Sequence, residues 1–150
     1  MSIFACMATN APEAERVSKR ALHRFFLIAL DEPRLETMRA RLTEQAGRMV
    51  TEWPSSVQLH APRIAAALAD ICQRVFVHLK PTPMKAHYTF SWRDAYKVLV
   101  GMQMIETNSL QRQADVMKLF YHECYRNFGD RLLMTHDRSW FTRALEEVCR

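Results

Sequence analysis

Residues 81–102 read PTPMKAHYTFSWRDAYKVLVGM, and this stretch decides how the middle of the chain folds. Pro81 and Pro83 hold φ at about −65° and disfavour the α region for the residue before each of them, so a preceding helix must end there. Ser91, followed three residues later by Asp94, is typical of a helix N-terminus. The apolar residues that follow recur at helical spacing, namely Ala95, Val98, Leu99 and Met102. We therefore predict an extended segment that leads into an amphipathic helix with Arg93 in its first turn.

The position of Arg93 is the main functional clue. A cation in the first turn of a helix opposes the helix dipole by about 0.3–1 kcal/mol unless an anion joins it. The free N–H groups of the same turn also favour anions, so a phosphate is a suitable partner for this arginine. The alternative is a solvated surface arginine whose charge is offset by Asp94.

The rest of the chain downstream of Pro33 has the periodicity of helices. One helix is predicted from Pro33 towards Val50, and the run 53–56 breaks it. A long helix is predicted over 57–79, another over 110–128 with Gly129 as its C′ residue, and a last one from Thr135 or Asp137. The apolar positions that define these helices are Leu35, Met38, Leu42, Met49, Ile64, Leu68, Ile71, Cys72, Val75, Leu79, Leu110, Ala114, Met117, Tyr121, Cys124, Phe128, Trp140, Phe141, Leu145 and Val148.

Upstream of Pro33 the pattern changes. Two short apolar runs, residues 2–7 and 25–30, are typical of buried strands, and Pro12 opens a helix between them. Two strands do not make a stable sheet by themselves, so this surface requires a partner. The predicted fold class is therefore mainly α, a helical bundle preceded by two short β-strands and a helix.

Composition excludes several classes of function. With 150 residues and 49% apolar content the chain builds one modest core. Its four cysteines are widely spaced without a C-x-x-C pair, no apolar h-region with a cleavage site opens the sequence, and no apolar run reaches about 20 residues, so we expect a cytosolic, soluble protein with reduced thiols. The net charge of +5 comes from basic residues interleaved with acids, apart from a cluster at Arg16, Lys19, Arg20 and Arg24. Without a nucleic-acid-binding signature, we do not predict binding to DNA or RNA.

Catalytic motifs are missing from the sequence. It contains no G-x-x-x-x-G-K-[ST] motif, only three glycines, and no apolar strand that ends in an acidic pair, so ATP hydrolysis by these residues alone is not expected. His122-Glu123-Cys124 lacks the second histidine of H-E-x-x-H, so no metal site is predicted. We interpret that tripeptide as a helix surface, with Cys124 as a small core residue, and His87 as a packing or hydrogen-bonding residue.

Two linked motifs in the second half of the chain carry a family resemblance. The first is PTP-x-K-x-HY-x-F-x-x-RD in residues 81–94, followed by a helix that ends in Val100-Gly101-Met102. The second is YHECYRNFGDRLLMTHDRSWF in residues 121–141, which is similar to an H-E-x-x-R-V-x-x-DR-L segment. Together they resemble the lid of the third AAA+ module of dynein heavy chains. Upstream, residues 3–10 look like the sensor 1 strand of such a module, and residues 19–30 like the helix and strand that follow.

The resemblance implies two domains and a set of site residues. Residues 1–32 would be the end of the AAA+ large subdomain, and residues 33–150 the helical lid. Arg93 matches the sensor 2 arginine, which in that family approaches nucleotide phosphates. Arg20, with Arg24 close by, resembles an arginine finger, and Asn10 is the candidate for sensor 1. An ordinary solvated helix face is the alternative for Arg20 and Arg24.

The sequence departs from the family pattern at several positions. His23 occupies the next basic position after Arg20, Ser91-Trp92 stands where the family usually has Asn-Leu, and Lys97 replaces an arginine. The loop after the sensor 1 strand also lacks the usual glycines. These changes fit either a divergent or a degenerate module, and they argue against hydrolysis at this module.

The function that the resemblance implies is a part in a motor ring. The parent would be an ATP-driven, minus-end-directed microtubule motor, and this lid would relay nucleotide state between modules without an ATPase site or metal of its own. ATP or ADP would bind only within the whole ring. The implied partners are the rest of the heavy chain and its neighbouring modules, microtubules through the whole motor, and dynein intermediate and light chains, with no nucleic acid or membrane. The implied location is cytoplasmic and cytoskeletal, and the HYTF run favours the axoneme of a cilium or flagellum.

Two alternatives remain open. One is a stand-alone helical adaptor that binds an acidic partner through the basic cluster of residues 16–24. The other is the lid of a different AAA+ ATPase, against which the 81–94 motif argues.

Overall fold

The computed structural model describes residues 18–26, 28, 30–31 and 33–149. The chain divides into two compact units, Met1–Glu32 and Pro33–Arg150. Within the described ranges, no helix combines the length and the apolar character needed to cross a membrane.

The first unit contains one short helix among its described residues. This helix, α1, spans Lys19–Leu22, and the Ser18 hydroxyl accepts a hydrogen bond from the Ala21 N–H at 3.3 Å. The predicted strand over 25–30 is wrong for the positions that the structure describes, because none of them forms the ladder hydrogen bonds that define a strand. The predicted strand over 2–7 and the helix opened by Pro12 lie outside the described residues.

Over its described residues, the second unit is a bundle of six α-helices linked by short 3₁₀ turns, and the predicted mainly helical fold is confirmed. The helices are α2 (Leu35–Met49), α3 (Ser55–Gln58), α4 (Ala61–His78), α5 (Trp92–Gln103), α6 (Gln113–Asn127) and α7 (Thr135–Val148). The 3₁₀ turns are Val50–Glu52, Pro83–Lys85, Thr107–Ser109 and Gly129–Arg131.

The helix predicted over 57–79 is two helices, α3 and α4. Pro62 lies in the first turn of α4, where its missing N–H costs nothing, but it cannot continue the hydrogen bonds of a helix that comes from α3. The chain therefore breaks between Gln58 and Ala61. The helix predicted over 110–128 begins only at Gln113, and the buried Leu110 precedes it.

The end of α6 also differs from expectation. Gly129 follows the helix as predicted, but it has no positive φ and begins the turn Gly129–Arg131 instead of a left-handed cap. The tight turn sets Arg131 directly after the helix end.

The core of the bundle lies where α4 and α5 meet the other helices. Helix α4 packs against α2 and α7, and α5 packs against α2 and α6. Large side chains that are fully buried fill the centre, among them Tyr88, Phe120, Phe128 and Phe141. Each such aromatic contributes about 1.5–3 kcal/mol by leaving water. Because Tyr88 belongs to the extended segment before α5, this core holds that segment as well as the helices.

Candidate anion-binding site

The start of α5 fixes the direction of Arg93. Ser91 is extended, with φ −149° and ψ 167°, and its N–H donates a hydrogen bond to Asp94 Oδ2 at 2.9 Å. Asp94 is buried against the bundle, whereas Arg93, the second residue of the helix, is exposed. The predicted helix start is confirmed, and it presents the Arg93 guanidinium outward from the first turn.

Arg131 ties the extended segment to the end of α6. Its Nη2 donates to the carbonyl oxygens of His87 at 3.0 Å and Thr89 at 3.2 Å, and its Nη1 lies 3.4 Å from Asp94 Oδ1. The same guanidinium stacks over the Phe90 ring at 4.5 Å, and His87 Nε2 lies 3.0 Å from the Arg131 carbonyl. Arg131 therefore positions the backbone that leads to Arg93. The hydrogen-bonding role predicted for His87 is confirmed.

A second tether joins the same segment to the start of α7. Asp137 Oδ2 accepts from Lys85 Nζ at 2.6 Å and from the Tyr88 hydroxyl at 2.9 Å, and the Leu133 N–H donates to that hydroxyl at 3.1 Å. Burial raises the pKa of Asp137, but the hydrogen bonds from Lys85 and Tyr88, with the charges of Lys85 and His136, outweigh it and lower this pKa below its ordinary value. The carboxylate therefore stays ionised and holds both ends of the tether.

Helices α5 and α6 meet at a buried carboxylate. Glu123 is 6% exposed, and it binds Arg126 through Nε at 3.2 Å and Nη2 at 2.7 Å, both to Oε2. A Cβ at Gly101 would collide with the Glu123 carboxylate, so only glycine leaves room for it. The helix-surface interpretation of His122-Glu123-Cys124 is thus wrong for Glu123, whereas Cys124 lies in the core as predicted. The signal in the sequence was the Glu-x-x-Arg spacing, which is a helical ion-pair spacing.

These elements surround an open surface pocket of about 380 Å³. Its lining consists of Thr89, Ser91, Arg93, Asp94, Lys97, Arg126, Asn127 and Arg131. Four of these side chains are cations and only Asp94 is an anion, which pairs with Lys97 at 3.1 Å as well as with Arg131. Among the residues that the structure describes, Arg93 makes no ion pair or side-chain hydrogen bond, so its donors are available to a ligand. The charge and the free donors suit an anion.

The predicted arginine-finger residues belong to the first unit. Arg20 lies in α1 and Arg24 in the turn after it, and both are exposed. Asn10 lies outside the described residues, and so does Arg16 of the basic cluster. Across the described part of the chain, no group of three or more His, Cys, Asp or Glu side chains is placed to hold a metal ion.

Known proteins resemble this chain across most of its length. A family model described as the AAA+ lid domain matches residues 63–150. Dynein axonemal heavy chain 6 of Homo sapiens is 29% identical over 148 residues, 99% of this chain and 4% of that protein. Dynein axonemal heavy chain 1 of Mus musculus is 48% identical over 93 residues, 62% of this chain and 2% of that protein.

A flagellar protein gives a similar match. The dynein-1-beta heavy chain, flagellar inner arm I1 complex, of Chlamydomonas reinhardtii is 26% identical over 147 residues, 98% of this chain and 3% of that protein. The chain spans only 2–4% of the length of these relatives. The chain therefore belongs to the AAA+ lid domain family, and its resemblance to a lid region of a dynein heavy chain is confirmed.

Proposed function

We propose that this chain is the lid of the third AAA+ module in a dynein motor ring and that it relays nucleotide state between modules. The observation that carries this proposal is the setting of Arg93, an arginine without a partner among the described residues, in a basic pocket at the start of α5. In this role Arg93 is the sensor 2 arginine that meets a nucleotide phosphate.

The donor set fits the phosphates of ATP or ADP. An arginine fork binds two phosphate oxygens at once, and the four cations of the pocket outnumber the two carboxylates that pair with them, Asp94 and Glu123. Bound nucleotide would supply the negative charge to which Arg93 responds. The base, the sugar and the hydrolytic groups would be held by other parts of the ring, because this sequence has no phosphate loop.

The tethers of the extended segment explain how the lid would respond. Arg131 and Asp137 fix the segment before α5 to the end of α6 and the start of α7. A phosphate that attracts Arg93 would therefore act on the connected helical bundle rather than on a flexible loop. The lid would move as one body and pass that displacement to the next module, and the whole ring would convert it into a change of microtubule affinity.

The first unit and the relatives support the same placement. Phe26, Ile28 and Leu30 expose large apolar side chains, which the rest of the large subdomain would cover in the ring. Arg20 and Arg24 would serve as the arginine finger of that subdomain, with Asn10 as sensor 1. The axonemal and flagellar names of the relatives support a cytoskeletal place in a cilium, where intermediate and light chains would be partners.

The native size of the polypeptide tests membership of the ring. An antibody against residues 113–149 should detect a heavy chain far above 17.6 kDa in an extract of the source cells. A native band near 17.6 kDa would contradict membership of the motor ring and would favour a stand-alone adaptor protein.

The role of Arg93 is tested in the assembled motor. Arg93→Gln removes the fork and the charge, so ATP should release the variant motor from microtubules more slowly than the unmodified motor. Arg48→Gln is the matched control, because Arg48 is an exposed arginine of α2 that pairs only with Glu44 among the described residues. Equal ATP-induced release by the Arg93 variant and the unmodified motor would contradict the sensor role.

A further inference from the structure

Arg126 is the second arginine of the pocket, and a buried carboxylate orients it. Glu123 engages its Nε and Nη2 groups, while Nη1 makes no hydrogen bond with any residue that the structure describes. The side chain is half exposed at 50%, and it lines the pocket from α6. An arginine held along one edge loses little further freedom when its other edge binds a ligand.

Gly101 makes this arrangement possible. A Cβ there would overlap the Glu123 carboxylate and would stand 3.0 Å from Arg126 Nη2. The backbone of α5 therefore approaches the ion pair more closely than any other residue type allows. This contact joins the helix that carries Arg93 to the helix that carries Arg126.

Lys97 supplies a third cation to the same pocket. It lies one turn after Arg93 on α5, its side chain is 58% exposed, and its ammonium makes one bond, to Asp94 Oδ1 at 3.1 Å. Asp94 keeps Arg131 and the Ser91 N–H as partners, so Lys97 can turn towards a ligand without leaving that carboxylate unpaired.

We propose that Arg93, Lys97 and Arg126 form a phosphate clamp across α5 and α6, which takes a phosphoryl group of a nucleoside di- or triphosphate. This inference rests on the proposed function, because it takes Arg93 as a phosphate ligand and adds two residues to it. Arg131 is a positioning residue in this clamp, since its donors are already bound to His87, Thr89 and Asp94. A set of two arginine forks and a lysine suits a phosphate dianion better than it suits a ligand with a single carboxylate.

The clamp is tested by titration of the 150-residue chain at constant ionic strength, with the arginine Nε–H signals followed by NMR. Inorganic phosphate is the first probe and ADP the second. The signals of Arg93 and Arg126 should shift together, saturably and with one dissociation constant for each probe. Tighter binding of ADP than of phosphate would identify the nucleotide as the source of the phosphoryl group, and equal binding would identify the phosphate group alone; both support the clamp.

Substitutions test which residues bind the phosphate. Arg126→Lys keeps the charge but loses the fork, so phosphate should bind about tenfold more weakly. Arg48→Lys, the same change in the exposed pair with Glu44 on α2, should leave the dissociation constant unchanged. Lys97→Gln should weaken binding several-fold, and because Lys97 is exposed this variant tests the clamp even if Arg126→Lys impairs folding.

Three results would overturn the clamp. The first is a shift of the Arg93 signal without a shift of the Arg126 signal. The second is an unchanged phosphate affinity in both Arg126→Lys and Lys97→Gln. The third is a loss of affinity in Arg48→Lys as large as that in Arg126→Lys. Each of them leaves the sensor role of Arg93 and the native size of the polypeptide to be judged by their own experiments, so the two failures are distinguishable.

Discussion

The buried carboxylate of Asp137 should be among the most sensitive positions of the bundle, and Asp137→Asn isolates its charge. The substitution replaces one carboxylate oxygen with an amide nitrogen of nearly the same size, so it leaves no cavity. The amide oxygen can still accept from the Tyr88 hydroxyl. The substitution removes the negative charge of the carboxylate, to which Lys85 Nζ donates at 2.6 Å and the Tyr88 hydroxyl at 2.9 Å.

The size of the effect follows from these two bonds. A hydrogen bond to a charged group contributes about 1.5–3 kcal/mol, against about 0.5–1.5 kcal/mol for a neutral one, so the loss is about 1 kcal/mol for each bond. The Asp137 side chain is 5% exposed and that of Lys85 is 20% exposed, so water screens the pair only partly. The acid also lies in the first turn of α7, which adds about 0.3–1 kcal/mol. We expect the free energy of unfolding at pH 7 to fall by about 2 kcal/mol.

The difference in unfolding free energy between the unmodified chain and Asp137→Asn should depend on pH. The folded-state pKa of Asp137 is lowered, so its contribution is present above the unfolded pKa of about 3.8 and is lost as the pH falls through the folded value. The asparagine variant cannot titrate there. The stability gap should therefore persist down to about pH 5 and should shrink below about pH 4.

Urea unfolding followed by far-UV circular dichroism measures the gap. With a slope of about 1–3 kcal/mol per molar urea, the midpoint of Asp137→Asn should fall by about 1 M at pH 7. Asp70→Asn is the matched control, because Asp70 pairs with Arg74 at 3.1 Å with both side chains 39% exposed, and it should cost less than about 0.5 kcal/mol. A loss in Asp137→Asn no greater than in this control, or a gap that does not shrink in acid, would show that the Asp137 charge does not stabilise the bundle.

Two further predictions concern α5, α6 and the thiols. Gly101→Ala should force Glu123 out of its place against α5 and separate it from Arg126, which lowers the unfolding free energy by about 1–3 kcal/mol in the same urea assay; an unchanged midpoint would contradict the close contact. Burial raises the pKa of Cys72 and Cys124, so an alkylating reagent at pH 7.5 should modify neither in the folded chain and both in denaturant, as peptide mass mapping would show; rapid labelling of Cys72 in the folded chain would contradict its burial.

Elements with local causes could be predicted from the amino-acid sequence alone. Ser91 and Asp94 interact three residues apart, and the apolar positions of α5 repeat within single turns, so the helix start and the outward place of Arg93 could be predicted. The motifs at 81–94 and 121–141 also predicted the lid family. The prediction was less accurate where two local preferences conflict. The apolar periodicity predicts one helix over 57–79, but Pro62 divides it into α3 and α4.

The set of side chains that share the pocket depends on tertiary packing. Arg131 reaches the carbonyl oxygens of residues more than forty positions earlier, and Gly101 makes room for a glutamate on another helix. No spacing rule within one element relates such residues, because their contact depends on how α5 and α6 pack. For the same reason the sequence predicts a surface position for Glu123, whereas the structure buries it. Its burial is tolerated because Arg126 pairs with it, and the same ion pair fixes Arg126 at the wall of the pocket.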